Sequence, residues 1–320
     1  MRLLVTGGTG FIGAALCEAL LQQGHELFVI TRRPSAYTPQ SHLQYVAWEE
    51  LPSSRQTSTW QDVITMVDGV IHLAGTSIAA ERWTPERKRV IRDSRVQTTR
   101  HLVEVLAERS PRPAVLIVAS AVGYYGPRGD EEISERDLSG RGFLAETCRL
   151  WEAEAQRAEA LGIRVLRLRL GLVLGPDGGA LAKMVPPFRA WLGGPIGSGR
   201  QWISWIHRED AIGLIMWALG HPALAGPVNA TAPSPVTMRE FCRELAAVLR
   251  RPSWLPVPGA ALHLLLGEMA DLLLTGQRVM PSAALQHGYR FRFPELQHAL
   301  ASCLNAPIRA SSQESRIGER

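Results

Sequence analysis

The sequence predicts an α/β fold, a doubly wound parallel sheet with a smaller C-terminal α/β lobe, on three observations. Short apolar runs alternate with amphipathic segments: Leu3 to Val5, Leu27 to Ile30, "DGVIHLAG" and "PAVLIVAS". A glycine-rich turn joins the first run to the first helix. From about Gly175 the glycine and proline content rises and the alternation stops. Continuous apolar runs of strand length suit parallel strands covered on both faces by crossover helices. Residues 1–175 are therefore expected to form the main sheet and 176–304 a second lobe, with 205–230 returning to the first core. Residues 305–320, including "APIRASSQESRIGER", predict a disordered tail.

Composition narrows the function classes. Hydrophobic residues make 46% and charged residues 20% of the 320 residues, an ordinary globular balance. The longest apolar candidate, "ALHLLLGEMADLLL", is broken by Glu268 and Asp271, so no membrane partner is expected. The chain enters a strand directly with no signal-peptide pattern, and its four cysteines stand apart without a CxxC. A reducing, cytoplasmic setting follows, with neither disulfides nor a metal site. The net charge of +5 raises nucleic acid as a partner. The arginines are dispersed and no basic run interleaves with aromatics, so no nucleic-acid partner is expected.

The first βαβ unit is "MRLLVTGGTGFIGAALCEALLQQGHELFVITRRP". Gly7, Gly10 and Gly13, three apart between strand and helix, suit a tight turn, a backbone close to a pyrophosphate, and close helix packing. The helix N-terminus then offers free N–H groups to the phosphates. The second strand ends at Thr31-Arg32-Arg33. An NAD site places an acid about twenty residues past the glycines. Two arginines suit the 2′-phosphate of NADP(H) instead.

The run "DGVIHLAG" reads as a buried strand breaking at small residues, so the His72-Leu73-Ala74-Gly75 turn passes close to the cofactor. A long helix from about Thr84 to Glu108 carries Arg89 and Ser94; Arg89 reads equally as a solvated basic face or a cofactor contact. "PAVLIVAS" brings Ser120, Tyr124 and Tyr125 to the carboxyl edge, where ligands of doubly wound sheets bind. They are the candidate catalytic residues, weighed against an aromatic wall with satisfied hydroxyls.

With these motifs in order, the chain resembles an atypical extended short-chain dehydrogenase/reductase built on a Rossmann-type sheet. "TGGTGFIG", "HLAG", the Ser-then-Tyr segment, "LRLGLVLGP" and "WIHRED" carry the likeness. "GGPIGSGRQWISWIHRED" with "GEMADLLLTGQRVMPSAALQHGYRFRFPEL" is similar to the YfcH-like NAD(P)-dependent epimerase/dehydratase family and its C-terminal domain of unknown function. The resemblance implies cofactor contacts at Gly7, Thr9, Gly10, Phe11, Ile12 and Gly13, and at Thr31-Arg32. It further implies the His72-Leu73-Ala74 turn, the helix near Ser94, and the Leu172 region. Ser120 matches the superfamily's catalytic Ser/Thr. Tyr124 matches its tyrosine by spacing, and Tyr125 by standing before Gly126.

One departure is plain. The superfamily's relay pairs a Tyr with a Lys one helical turn later, whose cation acidifies the phenol. Aligned on Trp151-Glu152, those positions hold Leu144 and Cys148. The five tyrosines are followed four residues on by Ser41, Glu49, Arg128, Gly129 and Phe293, so no YxxxK exists. Tyr124 and Arg128 are separated by Gly126 and Pro127, which removes helical geometry, and arginine stays charged at working pH. Two functions remain: an NADP(H)-dependent oxidoreductase or epimerase on a small substrate, or a non-enzymatic NADP(H) sensor that lost the relay.

The second lobe reads as a mobile glycine-rich cover with one short helix, where Arg189 and Arg200 would meet an anionic group on the substrate. "PVTMREFCRELAAVLRRP" is an amphipathic helix capped by Thr237. Asp210, opening a helix after an aromatic strand, reads as a cap or an orienting residue.

Overall fold

The structure, a computed structural model, describes residues 1–48 and 60–305. The tail predicted from 305 therefore lies, from 306 onward, outside the described residues. The first half runs β1 (Arg2–Thr6), α1 (Gly13–Gln22), β2 (Glu26–Thr31), β3 (Leu43–Ala47), α2 (Trp60–Val63), β4 (Gly69–His72), α3 (Pro85–Glu108), β5 (Val115–Ala121), β6 (Glu132–Ile133), α4 (Phe143–Gln156) and β7 (Arg164–Leu170). Then follow β8 (Leu172–Leu174), α5 (Leu181–Arg189), β9 (Trp202–Ile203), β10 (Trp205–His207), α6 (Arg208–Leu219) and β11 (Gly226–Ala230). The chain ends with β12 (Val236–Thr237), α7 (Met238–Leu249), α8 (Gly259–Leu266), α9 (Asp271–Leu274), β13 (Arg278–Val279), α10 (Ser282–Gln286) and α11 (Leu296–Cys303).

Seven strands form one parallel sheet in the order β11-β7-β5-β4-β1-β2-β3. Order reverses between β1 and β4, so the carboxyl edges of these strands open a crevice there. Apolar side chains fill both faces. Leu3, Val5, Ile117 and Leu166 meet α1 and α6 on one face. Leu4, Phe28, Leu116 and Val165 meet α2, α3 and α4 on the other. That two-sided burial explains why the strands read as unbroken apolar runs. The long helix α3 starts where its sequence says it should: the Thr84 hydroxyl accepts from the Arg87 N–H at 3.1 Å, and Pro85 occupies the first turn.

The chain leaves the main sheet at Gly171. The single apolar run "LRLGLVL" is two strands, β7 in the main sheet and β8 beside β10. β11 returns to the edge of the main sheet through the register Val228↔Leu168. The second lobe packs α5, α7 and α11 around Phe188, Trp205, Phe241 and Leu300. α7 carries a reciprocal capping box between Thr237 and Glu240, a device worth about 1 kcal/mol.

The glycine-rich cover is packed rather than loose. Leu181, Val185 and Phe188 of α5 are buried, and Lys183 Nζ donates to the Ala79 carbonyl at 2.6 Å across the crevice. Arg189 and Arg200 both stand exposed.

Candidate functional site

At the nucleotide end the backbone has been pared to its limit. Gly7 adopts φ +70, and a Cβ there would fall 2.7 Å from the Leu73 carbonyl carbon. A Cβ at Gly13 would fall 2.1 Å from the Gly7 carbonyl oxygen, so α1 presses directly on the turn. The N-terminus of α1 has no side-chain cap and no acid in its first turn. The Ala14 N–H closes on the Gly10 carbonyl at 2.9 Å, and the Ile12 and Gly13 N–H groups have no acceptor among the described residues, which leaves them for an anion. Thr9 and Gly10 are exposed beside it. Arg32 and Arg33, past the end of β2, are exposed and have no ion-pair partner among the described residues; Thr31 Oγ1 accepts from the Arg33 N–H at 3.4 Å. This set fits a dinucleotide pyrophosphate followed by a 2′-phosphate.

Several expected contacts are corrected by the packing. The Phe11 ring is covered by Gly175, Gly178 and Gly179 and by the Arg208 guanidinium 5.0 Å from its centroid. Its side chain therefore ties the glycine turn to the second lobe, leaving only backbone for a phosphate, while Ile12 packs inward beside the core. His72 is fully buried, with Nδ1 2.7 Å from Thr6 Oγ1 and Nε2 2.9 Å from Thr99 Oγ1. Burial pushes its pKa down to about 4, so it is a neutral strut, and beyond it the Leu73 and Ala74 N–H groups donate to the Thr6 carbonyl and Thr6 Oγ1. The Leu172 N–H already donates to the Ser204 carbonyl at 2.8 Å and is not free for a carboxamide.

Ser94 and Arg89 lie on different faces of α3, since five residues turn a helix by about 140°. Ser94 Oγ accepts from the Thr76 N–H at 3.2 Å and holds the turn after β4. Arg89 instead lines a cleft of about 370 Å³ with Lys88, Arg92, Phe143 and Glu146, between the starts of α3 and α4. The neighbour that sequence reasoning missed is Arg95. Its guanidinium donates to the Thr76 and Ile91 carbonyls, both at 3.0 Å, and lies 3.2 Å from where a Gly75 Cβ would stand. All its hydrogen-bond acceptors among the described residues are neutral, and burial lowers its pKa.

At the chemical end a buried polar cluster replaces the Tyr–Lys pair. Ser120 Oγ donates to Glu152 Oε1 at 2.6 Å. Arg169 grips the same carboxylate with Nε and a terminal nitrogen, both at 2.8 Å. Its other terminal nitrogen donates to the Tyr125 hydroxyl at 2.8 Å, which donates onward to Asn229 Oδ1 at 2.7 Å. Ser120, Glu152, Arg169, Tyr125 and Asn229 are each at most 4% exposed. Burial works against the Arg169 charge, but Glu152 outweighs it and holds the pKa above the ordinary arginine value. Burial pushes Tyr125 up to about 12, with Arg169 and Asn229 pulling against it.

Tyr125, expected among the catalytic residues, is buried, and its hydroxyl is engaged twice. Ser120, expected beside it, is buried with its proton donated to Glu152. Tyr124 differs. It is half-buried, its ring lies 3.5 Å from the Arg169 guanidinium carbon, and its hydroxyl has no hydrogen-bond partner among the described residues. Leu144 packs against Gly123, and Cys148 is buried with its thiol pushed up to about 11, first by burial and then by Glu152. Neither serves a relay. Arg128 binds the Tyr125 carbonyl, Glu131 and the Leu138 carbonyl, so it shapes the loop and does not touch a tyrosine hydroxyl. Nothing in the sequence marks out Arg169: β7 carries three arginines, and only Arg169 is buried.

Asp210 also has a definite task. The α6 cap is His207, whose Nδ1 accepts from the Glu209 N–H at 3.2 Å. The Asp210 carboxylate accepts from the Arg292 and Phe293 N–H groups at 2.7 and 2.9 Å. It anchors the C-terminal segment on the main sheet's helix. Among the described residues no cluster of His, Cys, Asp and Glu suits a metal, and no helix is long and apolar enough to cross a membrane.

Comparison with known proteins agrees with this geometry. Residues 3–230 match the NAD dependent epimerase/dehydratase family, and residues 257–303 match a domain of unknown function, DUF1731. The chain is 42% identical over 309 residues to the chloroplastic epimerase family protein SDR39U1 homolog of Arabidopsis thaliana, covering 95% of this chain and 87% of that one. It is 40% identical to epimerase family protein YfhF of Bacillus subtilis, covering 95% and 98%. The crystal structure of human epimerase family protein SDR39U1 (isoform2) with NADPH superposes with a TM-score of 0.83 at 34% identity, over 95% of this chain and 99% of that one. The chain belongs to the NAD dependent epimerase/dehydratase family, with a DUF1731 domain at its C-terminal end.

Proposed function

We propose that the chain is an NADP(H)-dependent oxidoreductase or epimerase acting on a small carbonyl or hydroxyl compound that bears an anionic group. The observation that carries this reading is the Arg32-Arg33 pair, exposed and unpaired among the described residues, where an NAD site would hold an acid. The human relative solved with NADPH supports the same cofactor. The amides at the start of α1 take the pyrophosphate, and Arg32 and Arg33 the 2′-phosphate. NADP(H), when bound, gives or takes a hydride.

The remaining work falls to Tyr124, whose hydroxyl hydrogen-bonds the substrate oxygen and moves its proton. Arg169 holds the Tyr124 ring by its face and Tyr125 by its hydroxyl. Ser120 acts through Glu152 and keeps that carboxylate in place. Arg189 and Arg200, exposed on the second lobe, supply charge for an anionic group. Four free, buried cysteines fit a reducing, cytoplasmic setting.

A second reading, a non-enzymatic NADP(H) sensor, is favoured by one observation: Leu144 and the protonated Cys148 stand where the relay would be. Single-turnover oxidation of bound NADPH against a panel of anionic and neutral carbonyls separates the two. The enzyme reading expects consumption with at least one carbonyl, and a drop of about 100-fold or more in Tyr124→Phe with NADPH affinity unchanged. Tight NADPH binding with no consumption across the panel decides for the sensor.

A further inference from the structure

Within the loop that carries Tyr124, Arg128 Nε donates to the Tyr125 carbonyl at 3.3 Å. Between β5 and β6 the loop makes one short turn, closed by the Gly126 N–H on the Gly123 carbonyl at 3.1 Å. The Gly140 N–H donates to the Tyr124 carbonyl at 2.9 Å from the following segment. Two further main-chain groups of the loop are satisfied from the far end of the chain. The Gln277 side-chain amide donates to the Val122 carbonyl at 2.7 Å, and the Arg128 N–H donates to the Gly276 carbonyl at 3.0 Å.

The same C-terminal segment is gripped from behind. The Ser204 hydroxyl donates to the Gln277 carbonyl at 2.7 Å and accepts from the Val279 N–H at 2.9 Å. A Cβ at Gly276 would fall 2.0 Å from the Trp202 carbonyl oxygen, so the segment is threaded tightly between Trp202 and the loop. Arg278 and Val279 form β13 against β6, and Asn229 Nδ2 donates to the Met280 carbonyl at 2.9 Å. Asn229 is also the acceptor for Tyr125. Val279, Ile133 and Tyr125, all fully buried, close the contact as one apolar cluster against which Val122 and Tyr124 pack.

We propose that Gly276–Met280, within the domain of unknown function, is a clasp that sets the Val122–Arg128 loop and so places Tyr124 in the crevice, with Gln277 as the positioning residue. Backbone carbonyls and amides of a short loop need partners, and here they find them on a segment more than a hundred residues later in the chain. The domain therefore completes the chemical site by holding the loop that carries Tyr124. The inference rests on the assignment of Tyr124 above.

Its test needs neither substrate nor cofactor, so failure of the clasp and failure of the enzyme reading are told apart. The full chain carrying 3-fluorotyrosine is compared with Gln277→Met, which removes the donor and keeps the bulk. Ser204→Ala, which loosens the segment from behind, serves as the second variant. Hydrogen exchange of the Gly123–Arg128 amides is expected to accelerate at least tenfold in both, with β1 and β2 amides unchanged. The Tyr124 fluorine resonance, assigned with Tyr124→Phe, is expected to shift as the ring leaves Arg169. Unchanged loop exchange with an unmoved Tyr124 resonance overturns the clasp. Acceleration spread equally over β1 and β2 overturns it too, because the contacts would then be general support.

Discussion

At the nucleotide end, Arg32 and Arg33 stand exposed with no acidic partner among the described residues, and the first turn of α1 has no side-chain cap. At the chemical end, along the same carboxyl edge, Ser120, Glu152, Arg169 and Tyr125 are buried and bonded to one another. Polar groups left exposed are hydrated and free to take a ligand, whereas polar groups satisfied inside the protein hold the fold. On the proposed reading, the contrast separates a binding half left open to a ligand from a chemical half closed on itself. Much of the chemical half has been turned into structure, with Tyr124 left as its open hydroxyl.

The contrast breaks hardest at Glu152. Glu152→Ala leaves Arg169 buried without its carboxylate, and a loss of about 3–5 kcal/mol of unfolding free energy is expected in urea titration. Replacing both charges together, Glu152→Leu with Arg169→Met, is expected to cost less than the single change, because no charge is stranded. A double variant as unstable as Glu152→Ala would show that the network is not held by its charges.

His72 tests how far burial fixes protonation. It titrates near 4 in the fold against about 6.5 in the unfolded chain, so between these values the unfolded state binds more protons. Its contribution is complete above about pH 6.5 and fades as pH falls toward 4, a loss on the order of 3 kcal/mol. Urea unfolding from pH 7 to 4 is expected to show a shallower decline in His72→Gln than in the parent; equal slopes would place the titration elsewhere.

The open end is probed more gently. Arg32→Ala is expected to weaken NADPH by about 1–3 kcal/mol in fluorescence titration and to leave NADH nearly unchanged. Equal weakening of both cofactors would remove the 2′-phosphate from Arg32. The smallest effect is expected for Tyr124→Phe on stability, within about 0.5 kcal/mol by thermal unfolding, since the hydroxyl it removes has no hydrogen-bond partner among the described residues. A larger loss would put Tyr124 inside the structural network with Tyr125.

Much of this molecule was legible before its structure. The four apolar strand runs, the Gly7-Gly10-Gly13 turn, the Arg32-Arg33 pair, the long helix starting near Thr84, the Thr237 cap and the missing YxxxK are local patterns. A window of a few residues contains all the physics that sets them: side-chain periodicity, glycine's freedom, and the reach of one cap. Only the tertiary structure decided which polar groups meet. Ser120 and Arg169 are neighbours because β5 pairs with β7, and Glu152 reaches both because α4 packs over those strands. His72 was expected at the cofactor and is enclosed by Thr6 and Thr99 because β4 lies beside β1 and beneath α3. Gln277 finds Val122 across more than a hundred residues for the same kind of reason. Burial and the partner of a charge are properties of the packed interior, where water is excluded and every donor must be answered, and no local spacing encodes them.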